Sequence, residues 1–132
     1  MKFPFIKIFR SQPANIPDKV KTGLTRFFPE AKNIDWEHKK NNYEAIFYLN
    51  DVEHIARLSN DGELTEYKKN IWIDELPRTV VERCSKEGEI MNVIAIYKGK
   101  DQFFEIIIRD TRLRRKLLLF NRSADLVSSQ KL

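Results

Sequence analysis

YEAIFYLNDVEHIARL, residues 43–58, decides the fold. Asn50-Asp51 lies between two alternating runs, and both side chains tolerate the positive φ that a two-residue hairpin turn demands. That turn sets Leu49 opposite Val52, Phe47 opposite His54, Ala45 opposite Ala56 and Tyr43 opposite Leu58, a mostly apolar face. The other face pairs Tyr48 with Glu53, Ile46 with Ile55 and Glu44 with Arg57, the last a cross-strand ion pair. A slip of one residue would carry Glu44 and Arg57 to the apolar side, so the pattern resists slippage. A sheet with one apolar face must bury it under another layer, and the flanking sequence supplies helices.

Towards the amino terminus, Ile16-Pro17, Val20 and Leu24 place apolar residues four apart, which makes a helical stripe over 17–28. Pro17 fits the first helical position, where a missing N–H costs nothing, and Pro29 stops the helix. The pattern returns 60 residues later as Leu76-Pro77, Val80 and Cys84, giving a helix over 77–87 that ends at Gly88. Strands are expected at 33–38, 43–49, 52–58 and 64–69 after the first helix. After the second they are expected at 91–98, 103–108, 113–120 and, weakly, 124–127. The offset drifts from 60 to 62 through the second unit, as loop insertions would cause. The fold class is therefore α+β: a tandem duplication of a helix plus antiparallel strands, with the helices packed on one face of a largely antiparallel sheet. The expected layout is a tail or extra edge strand at 1–15, a first repeat at 16–73 and a diverged repeat at 74–132, together one compact domain.

The 132 residues, 42% hydrophobic and 33% charged, can bury a core without staples and are not a disordered composition. The single cysteine, Cys84, excludes an internal disulfide, and one Cys with two distant His excludes a standard zinc site. The net charge of +5 is uneven: residues 1–15 carry three cations and no acid, 16–73 nine cations against ten acids, and 74–132 twelve against nine. MKFPFIKIFR, residues 1–10, is basic and apolar, but Pro4 and Lys7 interrupt it. It falls short of the roughly 7–15 uninterrupted apolar residues of a secretory signal and of the roughly 20 that span a bilayer. No transmembrane segment is expected, and a cytoplasmic location follows from this stretch alone.

Ile16-Pro17, Val20, Leu24, Phe28-Pro29, Ala31, Ile34, Trp36, Tyr43, Phe47, Asp61-Gly62 and Leu64 together resemble the PepSY-like, or β-lactamase-inhibitor-protein-like, family. FFPEAKNIDWE (27–37) before a tyrosine hairpin is the most specific part, and the resemblance runs over about residues 15–127. The second unit keeps the Leu-Pro helix start and the hairpin. It lacks the Phe-Pro, the Trp and the Asp-Gly turn, with Ala124 standing where Gly62 stands. The resemblance implies tandem α-plus-sheet units in a non-enzymatic, usually exported protein with a binding or inhibitory role. The implied periplasmic or exported location and the cytoplasmic one read from the amino terminus both stay open.

His38 and His54 fall on different strands; His54 projects onto the core face and reads as a hydrogen-bonded structural histidine. Cys84 replaces Leu24 and reads as a small buried apolar residue. Asp35 and Glu37 share a strand face, as ordinary exposed strand acids do. No phosphate-binding glycine loop, serine elbow or zinc motif is present, so no catalytic, cofactor or metal residue is assigned and no enzyme is expected.

The densest charge is RDTRLRRK, residues 109–116, a basic hairpin with Arg109, Arg112, Arg114, Arg115 and Lys116. Glu105 is expected to face Lys116. Alternation places Arg114 with Lys116 on one face and Arg115 on the other, its stem along apolar surface beside Leu113 and Leu117. The plain reading is a solvated edge whose charges deter edge-to-edge pairing; the functional reading is a site for an acidic partner or an anion.

The sequence leads to the expectation of a non-catalytic module binding another protein or peptide through a sheet face, in an inhibitory role if the resemblance extends so far. Arg112, Arg114, Lys116, Tyr48 and Trp72 are its candidate contacts, with Ile46 as a further exposed anchor. The alternative is an anionic ligand or nucleic acid on hairpin 109–116, nucleic acid being disfavoured because no exposed aromatics flank it. Sheet edges offer a route to homo-oligomers.

Overall fold

The structure, a computed structural model, describes residues 15–132; the expected tail or extra strand lies outside the described residues, save for Asn15. The described chain divides into two compact units between Lys69 and Asn70.

The first unit, residues 15–69, contains α1 (Asp18–Phe27), β1 (Asp35–His38), β2 (Asn42–Leu49), β3 (Val52–Ser59) and β4 (Leu64–Asn70), whose last residue belongs to the second unit. Consecutive strands pair antiparallel. The central hairpin has the register read from its sequence, from Tyr43 opposite Leu58 to Leu49 opposite Val52. Asn50 and Asp51 both take positive φ, 51° and 64°. Pro17 sits one position earlier than expected. Its ψ of 142° is not helical, so it is the N-cap, and its carbonyl accepts the N–H groups of Val20 and Lys21. Val20 and Leu24 of α1 join Trp36, Tyr43, Ala45, Phe47, Ala56 and Leu58 in one core cluster.

Contact between α1 and the β3–β4 loop is a close backbone approach. A Cβ on Gly23 would lie 2.1 Å from the Gly62 carbonyl oxygen, and a Cβ on Gly62 would lie 2.1 Å from that of Lys19. Gly62 also needs φ of +84°, where a side chain is strained. Ser59 holds the loop, its Oγ accepting the N–H groups of Asp61 and Glu63.

The face of this unit opposite α1 is not the open surface expected. Ile46, paired with Asp35 of β1 and Ile55 of β3, is 2% exposed and is no anchor. Glu44 is 6% exposed; its carboxylate accepts from the Arg57 guanidinium at 2.8 Å, and Arg57 also reaches Glu66 at 3.3 Å. Glu44→Ala should cost about 0.5–1.5 kcal/mol, the net worth of one hydrogen bond, because the Arg57 guanidinium it leaves is part exposed and keeps Glu66. Urea unfolding measures it, and a loss within error of zero would show the pair is solvated.

The second unit, residues 70–132, contains a 3-10 turn (Ile73–Glu75), α2 (Arg78–Ser85), β5 (Glu89–Lys98), β6 (Asp101–Arg109), β7 (Arg115–Asn121) and β8 (Leu126–Lys131). β5 to β8 pair antiparallel in chain order. Val80 and Cys84 of α2 pack with Val93, Ala95, Phe104, Ile106, Ile108, Leu118 and Phe120. Pro77 is again the N-cap. The Asn70 amide is buried and donates to Asn92 Oδ1 at 3.0 Å.

The β7–β8 loop repeats the β3–β4 loop bond for bond, 62 residues on. Asn121 Oδ1 accepts from the N–H groups of Ser123 and Asp125, as Ser59 does from Asp61 and Glu63. Ala124 takes φ of 69° where Gly62 takes 84°. A ladder irregularity adjoins each loop, at Arg57/Leu58 and Leu119/Phe120. The glycine contact does not repeat. Arg83, 60 residues after Gly23, lies over the Phe120 ring at 5.6 Å and donates to the Ala124 carbonyl at 3.4 Å.

Candidate functional site

The basic hairpin is organised by a five-residue loop, 110–114. The Asp110 carboxylate accepts the N–H groups of Arg112 and Arg114 at 2.9 Å each, and Leu113 takes φ of 63°. The Arg114 N–H holds the Asp110 carboxyl below the usual carboxylate range against the opposing effect of desolvation, with the Arg114 guanidinium and the Arg112 N–H adding to it. Placing a loop where the sequence suggested a tight turn moves the register of β6 and β7 by three residues. Lys116 therefore faces Ile108, and Glu105 faces Leu119 instead of Lys116.

The cations divide into paired and unpaired. Arg109 reaches Glu89 at 3.1 Å, Arg114 reaches Asp110 at 2.8 Å and Lys116 reaches Glu87 at 3.3 Å. Arg112 and Arg115 make no ion pair among the described residues. Arg114 lies in the loop, not on a strand face shared with Lys116. Arg115 does lie on the face away from Lys116, but it is exposed rather than half-buried. It begins β7, and Leu113, expected beside its stem, is in the loop and 71% exposed.

Tyr48 belongs to the first unit and is 55% exposed, two residues beyond the last β1 partner, Ile46. Trp72 belongs to the second unit, is 58% exposed, and lines a shallow depression with Ile73, Leu76, Arg78 and Val81. Its backbone N–H donates to Glu75 Oε2 at 2.7 Å, which fixes the entry to the 3-10 turn.

An apolar surface was not legible as a site. On β6 and β7 the side chains of Phe104, Ile106, Ile108, Leu118 and Phe120 face α2. Alternation then turns Phe103, Ile107, Leu117 and Leu119 to the opposite face, where they are half-buried. Both faces being apolar, the strands read as near-continuous hydrophobic runs, which hides which half is the core.

Residues that could have carried chemistry are occupied otherwise. His54 Nδ1 lies 2.6 Å from the Tyr67 hydroxyl and its ring stacks on Phe47. Burial pushes the Cys84 thiol up to about 11, with Glu87 adding to the shift and Arg83 opposing it, so it is a poor nucleophile. Among the described residues no group of three His, Cys, Asp or Glu is placed to hold a metal, and no helix is long and apolar enough to cross a membrane.

With α1 and α2 each set on antiparallel strands, the chain has a BLIP-like α+β fold. No family model matches it, and no curated protein does. Among solved structures it is similar to a DUF2874 family protein from Bacteroides uniformis, with a TM-score of 0.78 and 18% identity over 87% of this chain and 88% of that one. A DUF2874 family protein from Bacteroides ovatus gives 0.77 and 16% over 90% and 89%. A BLIP-like protein from Bacteroides fragilis gives 0.76 and 15% over 91% and 89%. At these identities the likeness is one of fold.

Proposed function

We propose that this chain is a non-catalytic protein-binding module, built from two copies of one helix-plus-strands unit and akin to PepSY-like and BLIP-like proteins. The repeated loops of Ser59 and Asn121, with their matching ladder irregularities, support the duplication. The observation that carries the binding reading is the half-buried apolar face of Phe103, Ile107, Leu117 and Leu119. Glu105, opposite Leu119, interrupts this face, and apolar surface set among polar side chains in this way is a mark of interaction sites. The partner is a folded protein that lays apolar side chains on that face. An anionic ligand on the hairpin is the weaker reading, since acids already compensate Arg109, Arg114 and Lys116.

The test is partner capture from the native cell, quantified by mass spectrometry, with wild type and Leu119→Glu. The variant should lose the captured protein while its melting temperature stays within a few degrees. Equal capture by both would overturn the reading. Capture that collapses in moderate salt, whatever the Leu119 substitution does, would favour phosphate contacts instead.

A further inference from the structure

We infer that the outer edge of β8 is a second docking site, one that accepts an extended, acidic segment of a partner protein as an added antiparallel strand. This surface is separate from the apolar face and stands independently of it.

β8 is the last strand in the sheet order, and all six of its residues are exposed. The Leu132 N–H donates to the Arg115 carbonyl, and Lys116 faces Lys131 while Leu118 faces Ser129. Antiparallel bonds alternate along a strand, so Gln130 and Ser128 also bond inward to β7. The N–H and C=O groups of Ser129 and Lys131 therefore point outward, away from β7. Natural edges are usually blunted by shortness, proline or charge. β1 in the first unit is four residues long and carries Asp35 and Glu37. β8 is six residues, LVSSQK, with no proline and one charge at its end.

Charge names the occupant. From Arg115 to Leu132 the chain has four cations, Arg115, Lys116, Arg122 and Lys131, and one acid, Asp125. Lys116 is paired with Glu87, whereas Arg115, Arg122 and Lys131 have no ion pair among the described residues. They bracket the strand, Arg122 at its start and Arg115 with Lys131 at its end. A second copy of the chain would bring two such basic hairpins together and be repelled. An acidic strand gains main-chain bonds along Ser129 and Lys131 and meets cations at both ends.

The experiment uses the full chain and a blocked peptide of alternating Glu and Val, with a Lys and Val peptide as control. The acidic peptide should slow amide exchange at Ser129 and Lys131 by about tenfold or more. The basic peptide should have no such effect. Ser129→Pro removes an outward N–H and leaves the β7 ladder intact, so it should abolish the protection at Lys131, the remaining reporter, with little change in melting temperature. Arg115→Glu with Lys131→Glu should abolish acidic-peptide binding and spare Leu119-dependent capture. Protection that survives Ser129→Pro, equal protection by both peptides, or no protection by either would overturn the inference. So would a β8-dependent dimer of the chain alone in sedimentation, which would make the occupant a second copy.

Discussion

Gly62→Ala should destabilise the protein by about 3 kcal/mol or more, a loss large beside the usual total stability of a small domain. Two separate costs meet at that position. The left-handed φ of +84° costs a side chain about 1–2 kcal/mol. The new Cβ would also lie 2.1 Å from the Lys19 carbonyl oxygen, which belongs to helix backbone and cannot swing aside. Other glycines separate the two costs. Gly99 has φ of +62° with nothing near its Cβ position, so Gly99→Ala should show the strain alone, about 1–2 kcal/mol. Gly23 is helical, so Gly23→Ala gains helix propensity and meets only the clash with Gly62; it should still cost about 2 kcal/mol or more. In the equivalent β7–β8 loop, Ala124→Gly relieves strain and loosens the unfolded chain, so it should stay within about 1 kcal/mol of wild type. Urea midpoints of the four variants give the order. If Gly62→Ala and Gly99→Ala cost the same, α1 does not approach the loop as closely as described.

Asp61-Gly62 reads as a turn in the sequence, but the second reason for Gly62, its contact with Gly23 of α1, needs the tertiary fold. The first hairpin was legible because Asn50-Asp51 permits one turn length and the alternation then allows one register. The β6–β7 register was not legible, because Asp110, Thr111, Arg112 and Leu113 contain no glycine to mark the left-handed position. Leu113 takes that position only because Asp110 binds the N–H groups on either side of it. β8 was the least legible strand: it starts at Leu126 and runs to Lys131, where 124–127 was expected. Ala124 occupies the loop, and a strand exposed along its whole length has no buried face to impose alternation. The candidate cations were easy to find as a run, but their neutralisation depends on Glu87 and Glu89, which sequence distance hides.

Phe47→Ala should cost about 3–5 kcal/mol, the range for a large aromatic removed from a core. Phe47 is 1% exposed and lies at the junction of a ring series on the helix-facing side of β2 and β3. Its centroid is 5.2 Å from that of Phe28 and 5.4 Å from that of His54, and Tyr67 closes the series against both Phe28 and His54. Truncation removes the central ring, so the others lose contacts together and cannot all move into the space, because β-strand backbone holds His54 and Tyr67. Tyr67→Phe tests the polar part of the same series. It keeps the ring and removes the hydroxyl that lies 2.6 Å from His54, so it should cost only about 0.5–1.5 kcal/mol, the usual net worth of one such bond. The double variant should cost less than the sum of the two, since the contact of His54 with both partners is shared. Urea unfolding of the two single variants and the double variant forms a closed cycle. A loss near 1 kcal/mol for Phe47→Ala, or strict additivity with Tyr67→Phe, would mean that the rings pack as separate contacts.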